Sequence, residues 1–377
     1  MLGQNGIISR AQDARNQTAE GQVNTEKAVN ALTDEMEDLI SENENSGNGS
    51  NTGNGGNSGG GSSGGSGSSQ TTVENVVIPE GYYYVGGTKA KGIVISDNVA
   101  DKELDKGKED VRRDLSGNQW VWVPVETPSS LYTTVDAGQA LAGSTGVKTT
   151  KYTNSAIISG ITRGLPGDES SFREPDILTY SDDINYATAG FSSLANMAEN
   201  MKSDYEEMIA SLEKYKGFYI GRYELTANGE KTGATLTNTN WYTLYKNCTT
   251  LAVGSKVKTR MIWGLQWDAT CNWLDSSGFS ITDSSTWGNY SNNTADGHGT
   301  KQNTGYSESW KANNIYDFAG NCWELTQEAN DDYYRAYRGG SFYSYGSYDP
   351  DSNRSTYSPT GSGSNIGGSR PTLYLIP

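Results

Sequence analysis

The chain has little of the two residue types that bind most transition metals in proteins. Its 377 residues include one histidine, His298, and three cysteines, Cys248, Cys271 and Cys322. Three scattered cysteines are too few for a disulfide framework or a zinc site. Isolated thiols in a core are the simplest interpretation, and a Cys248–Cys271 disulfide is an alternative that spacing does not decide.

Positive charge is also scarce, because 29 Lys and Arg stand against 45 Asp and Glu, giving a formal net charge of −16. Nucleic acids and anionic membrane surfaces bind clustered Lys and Arg, so this balance argues against both as partners. No apolar run is long enough to span a bilayer, and no secretory leader is visible. The apolar content is only 34%, but 24 tyrosines and 9 tryptophans allow an aromatic, hydrogen-bonded core.

The composition divides the chain into three segments. An intermittent apolar stripe over residues 7–40 predicts a helix within a first segment, 1–44. Residues 45–69 are all Gly, Ser, Asn or Thr, which cannot bury enough apolar area to offset their conformational entropy. The sequence therefore predicts a disordered, flexible linker over 45–72 and a globular domain over 73–377.

The third segment contains few regular elements. β-branched and aromatic runs at 76–87 and 119–125 predict strands. Apolar residues at three- and four-residue spacing predict a helix over 195–214, followed by a strand at 217–224 and a second helix at 265–274. Long Gly/Ser/Asn loops separate these elements, so we expect an α+β domain whose loops carry the function.

The C-terminal tail has an unusual composition. Residues 341–369 contain no Lys, Glu, Gln, Trp or Met and consist mostly of Ser, Gly, Tyr, Asp and Asn. Tyr supplies rigid, amphipathic contact area, while Ser, Gly and Asn supply adaptable hydrogen bonds. This mixture is typical of binding loops.

Four motifs occur in an order that resembles the formylglycine-generating enzyme family, which has a variant of the C-type lectin fold. They are Phe-Tyr-Ile-Gly-Arg-Tyr-Glu at 218–224, Gly-Asn-Cys-Trp-Glu at 320–324, Arg-Gly-Gly-Ser-Phe at 338–342 and Gly-Ser-Arg at 368–370. The resemblance covers about residues 80–377 and implies this C-type lectin fold for the α+β domain. Leu325 and Ser369 depart from the family pattern, in which Trp and Phe are usual.

In that family the loop that contains the second motif holds a calcium ion. By position, the ligands would be the Asp317 and Glu324 carboxylates with the Gly320 and Cys322 backbone carbonyls. Calcium prefers several hard oxygen ligands, so the resemblance implies a structural calcium ion. The alternative is that Asp317 and Glu324 only cap turns and pair with Arg338.

Enzymatic members of the family bind copper through two cysteines that follow the Arg-Gly-Gly-Ser motif. By position, Ser344 and Asp349 stand where those thiols would be, and no cysteine follows Cys322. Without thiolates the chain has no soft-metal site there. Related iron-dependent enzymes need several histidines, and His298 is expected to be solvent-exposed. We therefore expect no copper and no catalysis.

A second branch of the same fold fits the tail better. The variable proteins of diversity-generating retroelements are similar in the same motifs, and adenine-specific mutagenesis converts their Asn codons mainly to Tyr, Ser, Asp and Gly. The resemblance implies a variable binding segment over about 330–369. Its predicted ligand-binding residues are Tyr343, Tyr345, Ser347, Tyr348, Asp349, Asp351, Asn353, Ser355 and Tyr357. Flanking residues would be Tyr333, Tyr334 and Tyr337, and framework residues would be Trp323, Arg338, Gly339, Gly340, Arg354 and Arg370.

The opening residues 2–11 resemble the segment that follows the hydrophobic N-terminal helix of type IV pilin-like proteins in Gram-positive bacteria. This likeness implies a leader and a membrane helix upstream of Met1, and pilus or pseudopilus subunits as partners. Together the segments predict an extracellular, surface-displayed bacterial protein that binds a protein or carbohydrate ligand on another cell or phage. Two alternatives stay open: a non-diversified structural minor pilin or adhesin, and an enzyme of the formylglycine-generating type.

Overall fold

A computed structural model describes residues 71–128, 133–134, 150–151, 172–173, 185–330, 334–361 and 364–377. The predicted N-terminal segment, 1–44, and the Gly/Ser/Asn-rich part of the predicted linker lie outside the described residues. The described residues thus belong almost entirely to the predicted globular domain.

The larger sheet has six antiparallel strands, and the C-terminal strand lies next to one edge of the sheet. These strands are β3 (Tyr83–Gly86), β4 (Val94–Ser96), β5 (Gln119–Pro124), β9 (Gly217–Gly221), β10 (Val257–Met261) and β17 (Pro371–Leu375). Their order is β10-β17-β9-β5-β4-β3. The strand β9 is buried along its whole length, and it pairs with β5 on one side and β17 on the other. The predicted strands at 76–87, 119–125 and 217–224 are confirmed in position, with shorter bounds.

The second sheet carries the predicted site. It contains β13 (Trp323–Asn330), β14 (Tyr334–Arg338), β15 (Ser355–Tyr357) and β16 (Gly367–Ser369) in the order β15-β14-β13-β16. The strands β13 and β16 pair in parallel, and a two-residue strand, β8 (Phe172–Arg173), also pairs with β13. The remaining short strands are β1 (Thr72–Val73), β2 (Val76–Val77), β6 (Thr133–Thr134), β7 (Thr150–Lys151), β11 (Lys311–Ala312) and β12 (Ile315–Tyr316).

Three α-helices lie among the described residues: α1 (Leu194–Tyr215), α2 (Trp241–Cys248) and α3 (Gly264–Ser276). The Ser193 side chain caps the first turn of α1 by accepting a hydrogen bond from the Asn196 N–H at 3.1 Å. The two predicted helices are confirmed as α1 and α3. The domain is therefore a mixed α and β structure, as expected.

The core is aromatic, as the composition predicts. Fully buried large side chains include six tryptophans and five arginines, namely Trp120, Trp122, Trp241, Trp263, Trp267, Trp310, Arg222, Arg335, Arg338, Arg354 and Arg370. All three cysteines are buried free thiols, so the isolated-thiol interpretation is confirmed and the disulfide alternative is wrong. None of the helices in the described part of the chain is long and apolar enough to cross a membrane.

Candidate functional site

Within the predicted binding segment, a double-glycine turn follows the end of β14. Gly339 and Gly340 have φ angles of 88° and 74°, which residues with a side chain rarely adopt. The Gly339 carbonyl accepts a hydrogen bond from the Tyr290 hydroxyl at 2.6 Å. A Cβ atom on Gly340 would lie 2.4 Å from the Asp349 carbonyl oxygen. The turn therefore lies against the end of residues 341–349, which we call the tail loop.

The tail loop presents three tyrosines to solvent. The exposed fractions of Tyr343, Tyr345 and Tyr348 are 67%, 58% and 50%, although large aromatic side chains usually lie at least partly inside a fold. Ser347 is exposed as well, and Asp349 is half-exposed. Exposure at the predicted binding positions is thus confirmed for Tyr343, Tyr345, Ser347 and Tyr348 and only partly for Asp349, and their role in ligand binding stays a prediction.

The expected exposure of Asp351 and Asn353 is wrong, because both side chains are buried. Asp351 Oδ1 accepts a hydrogen bond from Ser284 Oγ at 2.7 Å. Asn353 Nδ2 donates to Asp349 Oδ1 at 3.0 Å. Both residues therefore support the tail loop from inside the domain and do not belong to the predicted binding face.

The remaining predicted residues lie on the second sheet. Ser355 and Tyr357 are half-buried in β15, and the Tyr357 ring lies 4.8 Å from the buried ring of Tyr337. Tyr334 is exposed at the start of β14, whereas Tyr333 lies outside the described residues. These three tyrosines therefore lie on the second sheet, where Tyr337 is buried and only Tyr334 is exposed.

A second loop, which we call the support loop (residues 282–298), packs beside the tail loop. The Ser291 N–H and hydroxyl both donate to the Ser344 carbonyl, at 3.0 and 2.8 Å. The Gly346 N–H donates to Asn292 Oδ1 at 3.0 Å. Sequence reasoning missed the support loop, because short polar residues bonded to main-chain atoms leave no periodic signal.

A buried square of charges lies beneath the tail. Arg338 Nη2 lies 2.7 Å from Asp268 Oδ1, and Arg338 Nη1 lies 3.4 Å from Glu328 Oε2. Arg354 Nε lies 2.9 Å from Glu328 Oε1, and Arg354 also pairs with Asp268. Arg338 Nε donates to the Asn353 carbonyl at 3.0 Å. The charges balance, and the square holds the chain after the tail loop through a backbone atom.

The resemblance predicts the two arginines of the square as framework residues, but it does not predict their acidic partners. Asp268 lies on α3 and Glu328 on β13, and both are buried. Buried carboxylates need paired charges or hydrogen bonds. No pattern in the sequence links residues this far apart along the chain.

Asp351 forms another fixed point under the tail loop. Burial raises the pKa of Asp351 to about 7, while the Ser284 hydroxyl, the Cys271 thiol at 3.5 Å and Arg338 oppose the rise. Trp267 Nε1 donates to the Asp351 carbonyl at 2.8 Å. Through Trp267 and Cys271 the helix α3 therefore holds the backbone on which the tail loop ends.

The predicted metal ligand Asp317 is buried with one free oxygen. Its Oδ2 atom accepts hydrogen bonds from the Gly305 N–H at 2.7 Å and the Thr304 hydroxyl at 3.0 Å. Its Oδ1 atom has no hydrogen-bond partner in the structure. Burial raises the pKa of Asp317 to about 6, although both of these donors lower it.

Glu324, the second predicted carboxylate ligand, pairs with Arg370. The distance between Glu324 Oε1 and Arg370 Nη2 is 2.7 Å, and both side chains are buried. Burial raises the pKa of Glu324 to about 7 against the opposing charge and hydrogen bonds of Arg370. In the alternative that gave Asp317 and Glu324 only structural roles, the partner of Glu324 is therefore Arg370 and not Arg338.

The other two predicted ligands, Gly320 and Cys322, lie in the turn before β13. The Cys322 N–H donates to Glu224 Oε1 at 2.9 Å, and Asn321 Nδ2 donates to Glu224 Oε2 at 2.6 Å. Burial, together with the nearby charges of Asp317 and Glu324, raises the pKa of Glu224 well above its usual range. Glu224 belongs to the motif at 218–224 but was not among the predicted ligands.

The oxygen donors match the chemistry of calcium only in part. The free Asp317 Oδ1 atom is an acceptor that a hard cation would satisfy. Against this, the Arg370 guanidinium already neutralises Glu324, and the part of the chain that the structure describes contains no group of three or more His, Cys, Asp or Glu arranged to hold a metal. Calcium at this turn stays a prediction.

Ser344 and Asp349, which the resemblance aligns with two copper-binding cysteines, both lie in the tail loop. Ser344 is half-buried and bonded through its carbonyl to the support loop, and Asp349 bonds to Asn353. His298 is exposed, as expected, with Nδ1 2.8 Å from the Ala295 carbonyl. The residues found at these positions hold the loop in place by hydrogen bonds.

No protein-family model matches the chain, and no curated protein matches it. The solved structures that weakly resemble it include a variable protein and a structure titled CarF. Variable protein 1 of Treponema denticola is 18% identical, with 43% of this chain and 85% of that chain covered and a TM-score of 0.31. The structure titled CarF is 13% identical, with 43% and 87% covered and a TM-score of 0.33. At such TM-scores the likeness carries no argument, and the site rests on its own geometry.

Proposed function

We propose that the described domain is a non-enzymatic ligand-binding domain of the C-type lectin fold, in the variant found in formylglycine-generating enzymes. Its binding face is formed by Tyr343, Tyr345, Ser347 and Tyr348. The observation that carries the proposal is the contrast between this exposed face and the buried framework directly beneath it. Tyrosine anchors on a rigid support are the residues that contribute most to many interfaces.

We further propose that the tail is diversified, as in the variable proteins of diversity-generating retroelements. The support for this proposal is that the framework holds the tail loop by main-chain atoms and by buried side chains. Carbonyls of the tail accept bonds from Arg338, Trp267 and Ser291. An exchange of an exposed side chain such as Tyr345 would leave these bonds in place, so the loop tolerates changes at its surface.

Display outside a bacterial cell, on a pilin-like anchor that reaches the domain through the flexible linker, belongs to the same proposal. It rests on the sequence resemblance of residues 2–11. Pilus or pseudopilus subunits would then be neighbours of the N-terminal segment, and the ligand would be carried by another cell or a phage.

Sequencing of the 3′ end of the gene in many isolates tests diversification. We expect non-silent changes to concentrate at the codons for Tyr343, Tyr345, Ser347 and Tyr348, at positions that are adenines in a near-copy beside a reverse transcriptase gene. Codons for buried residues of matched type, such as Tyr290 and Ser352, are the internal control. Equal variation at exposed and buried codons, or the lack of a near-copy, would contradict the proposal.

The enzyme alternative has its own test. Metal analysis of the purified protein together with assays on cysteine-containing peptides would reveal a formylglycine-generating activity. We expect neither copper nor turnover, because Ser344 and Asp349 stand at the positions of the two thiols. Stoichiometric copper with turnover would overturn the non-enzymatic assignment.

A further inference from the structure

We infer that the tail loop and the support loop form one composite binding face, and that this face recognises an arginine-bearing segment of a partner protein. The inference rests on the proposed function and names the class of ligand. It adds the support loop, which lies outside the predicted variable segment, to the recognition surface.

The hydrogen bonds between the loops bring their exposed side chains to one surface. The Asp283 Oδ1 atom accepts from the Ser285 hydroxyl at 2.5 Å, and Ser285 Oγ accepts from Asn292 Nδ2 at 2.9 Å. Asn292 Oδ1 in turn accepts from the Gly346 N–H. The carboxylate of Asp283 is thus two side chains away from the middle of the tail loop, where Tyr345 is attached.

The composite face carries negative charge, and its one basic side chain is the exposed His298 of the support loop. Residues 277–300 and 339–353 include no Lys or Arg. Asp283 and Asp296 are exposed on the support loop, and Asp349 is half-exposed on the tail loop. A cation on the partner would therefore meet carboxylates and no Lys or Arg on this face.

Exposed tyrosine rings favour arginine in particular. The face of an aromatic ring attracts cations, and the planar guanidinium also stacks on it. Carboxylates at the edge of the face can accept paired hydrogen bonds from the same guanidinium. Complementary charge at an exposed rim acts mainly on the association rate and on specificity, so the tyrosines would supply most of the affinity.

The shape of the face favours a protein over a small sugar. Small-molecule sites are usually concave. Tyr343, Tyr345 and Tyr348 instead project from a loop, which suits the surface of another protein.

A random 12-residue peptide library displayed on phage, selected against the full chain, tests the inference. We expect arginine to be enriched in the selected peptides. A variant carrying Tyr343→Ser, Tyr345→Ser and Tyr348→Ser should lose at least about tenfold in affinity for them, because burial of each Tyr is lost.

The charge part of the inference is tested with a matched pair of double variants. Asp283→Asn with Asp296→Asn should weaken binding several-fold, more strongly at low salt. Glu199→Gln with Glu206→Gln, which removes two exposed carboxylates from α1, should leave binding unchanged. Equal weakening by both double variants would overturn the inference, because attraction would then come from net charge alone.

The outcomes separate the inference from the proposed function. Peptides that lack arginine but still require the three tyrosines would overturn the inference and leave the proposed function standing. Peptides that bind the triple tyrosine variant as well as the native chain would contradict both. A selection that enriches no peptide would overturn the inference alone, because the ligand of the proposed function can also be a carbohydrate.

Discussion

At the scale of single residues, buried charged side chains support the tail loop, and exposed tyrosines form its surface. Arg338 and Glu328 are fully buried, and such ions cost several kcal/mol to desolvate unless they are paired. These buried charges also position the chain that follows the tail loop, because the guanidinium of Arg338 donates hydrogen bonds to the backbone carbonyls of Ser352 and Asn353. A support made of backbone contacts does not depend on which side chains the tail loop displays.

Glu328→Gln tests the charge square. The change leaves two arginines with one carboxylate in a buried site, so we expect the free energy of unfolding to fall by roughly 3 to 5 kcal/mol. Glu126→Gln is the control, since Glu126 pairs with Lys89 at 2.7 Å but its side chain is 71% exposed. That pair should contribute no more than about 1 kcal/mol. Chemical denaturation of both variants measures the difference, and similar losses would contradict the assigned role.

The same residues show what the sequence alone can predict. The composition of the tail indicates a binding loop, and the resemblance to variable proteins predicts that Tyr343, Tyr345 and Tyr348 are exposed. It could not separate them from Asp351 and Asn353, because Asp351 is buried by a partner 67 residues away, Ser284. Contacts of that separation depend on the fold and leave no local pattern.

At the scale of elements, the turn after β14 fixes the position of the tail loop. Gly340→Ala should be strongly destabilising, because φ is +74° and the new Cβ atom would lie 2.4 Å from the Asp349 carbonyl oxygen. Gly278→Ala is the control, since Gly278 has a φ of +94° with no atom within 4 Å of a new Cβ. Gly278→Ala should lower the free energy of unfolding only through backbone strain, by about 1 kcal/mol.

The difference between the melting temperatures of the two variants measures the steric part of the destabilisation. We expect a clearly larger fall for Gly340→Ala, accompanied by faster proteolysis within the tail loop. Equal melting temperatures would show that the close approach of Gly340 to Asp349 does not hold the loop.

Elements were predictable where the sequence repeats a pattern over several turns. The helix α1 shows buried Met197, Met201 and Met208 at helical spacing, and it was predicted within one residue at each end. The eight-residue helix α2 is not predicted from the sequence, because it is too short to show a helical repeat of apolar residues and its aromatic residues also suit a strand. Its start is marked only by the Asn240 side chain, which accepts a hydrogen bond from the Thr243 N–H.

At the scale of the whole domain, one buried cluster of carboxylates joins distant parts of the chain. Glu224 lies just after β9, Asp317 after β12 and Glu324 in β13, while Arg370 lies between β16 and β17. Burial raises the pKa values of all three carboxyl groups. A single guanidinium therefore offsets only part of the negative charge that these groups carry when they are ionised. A bound cation would offset more of that charge.

Melting temperatures in calcium and in chelator test the predicted calcium site. If calcium binds at this turn, saturation at about 100 times the dissociation constant should stabilise the native chain by about 2.7 kcal/mol. Asp317→Ala should abolish this gain, because it removes the carboxylate with the free oxygen. Asp275→Ala, which removes an exposed carboxylate from α3, should keep it. If the native chain and Asp317→Ala respond alike to calcium, Asp317 is not a ligand.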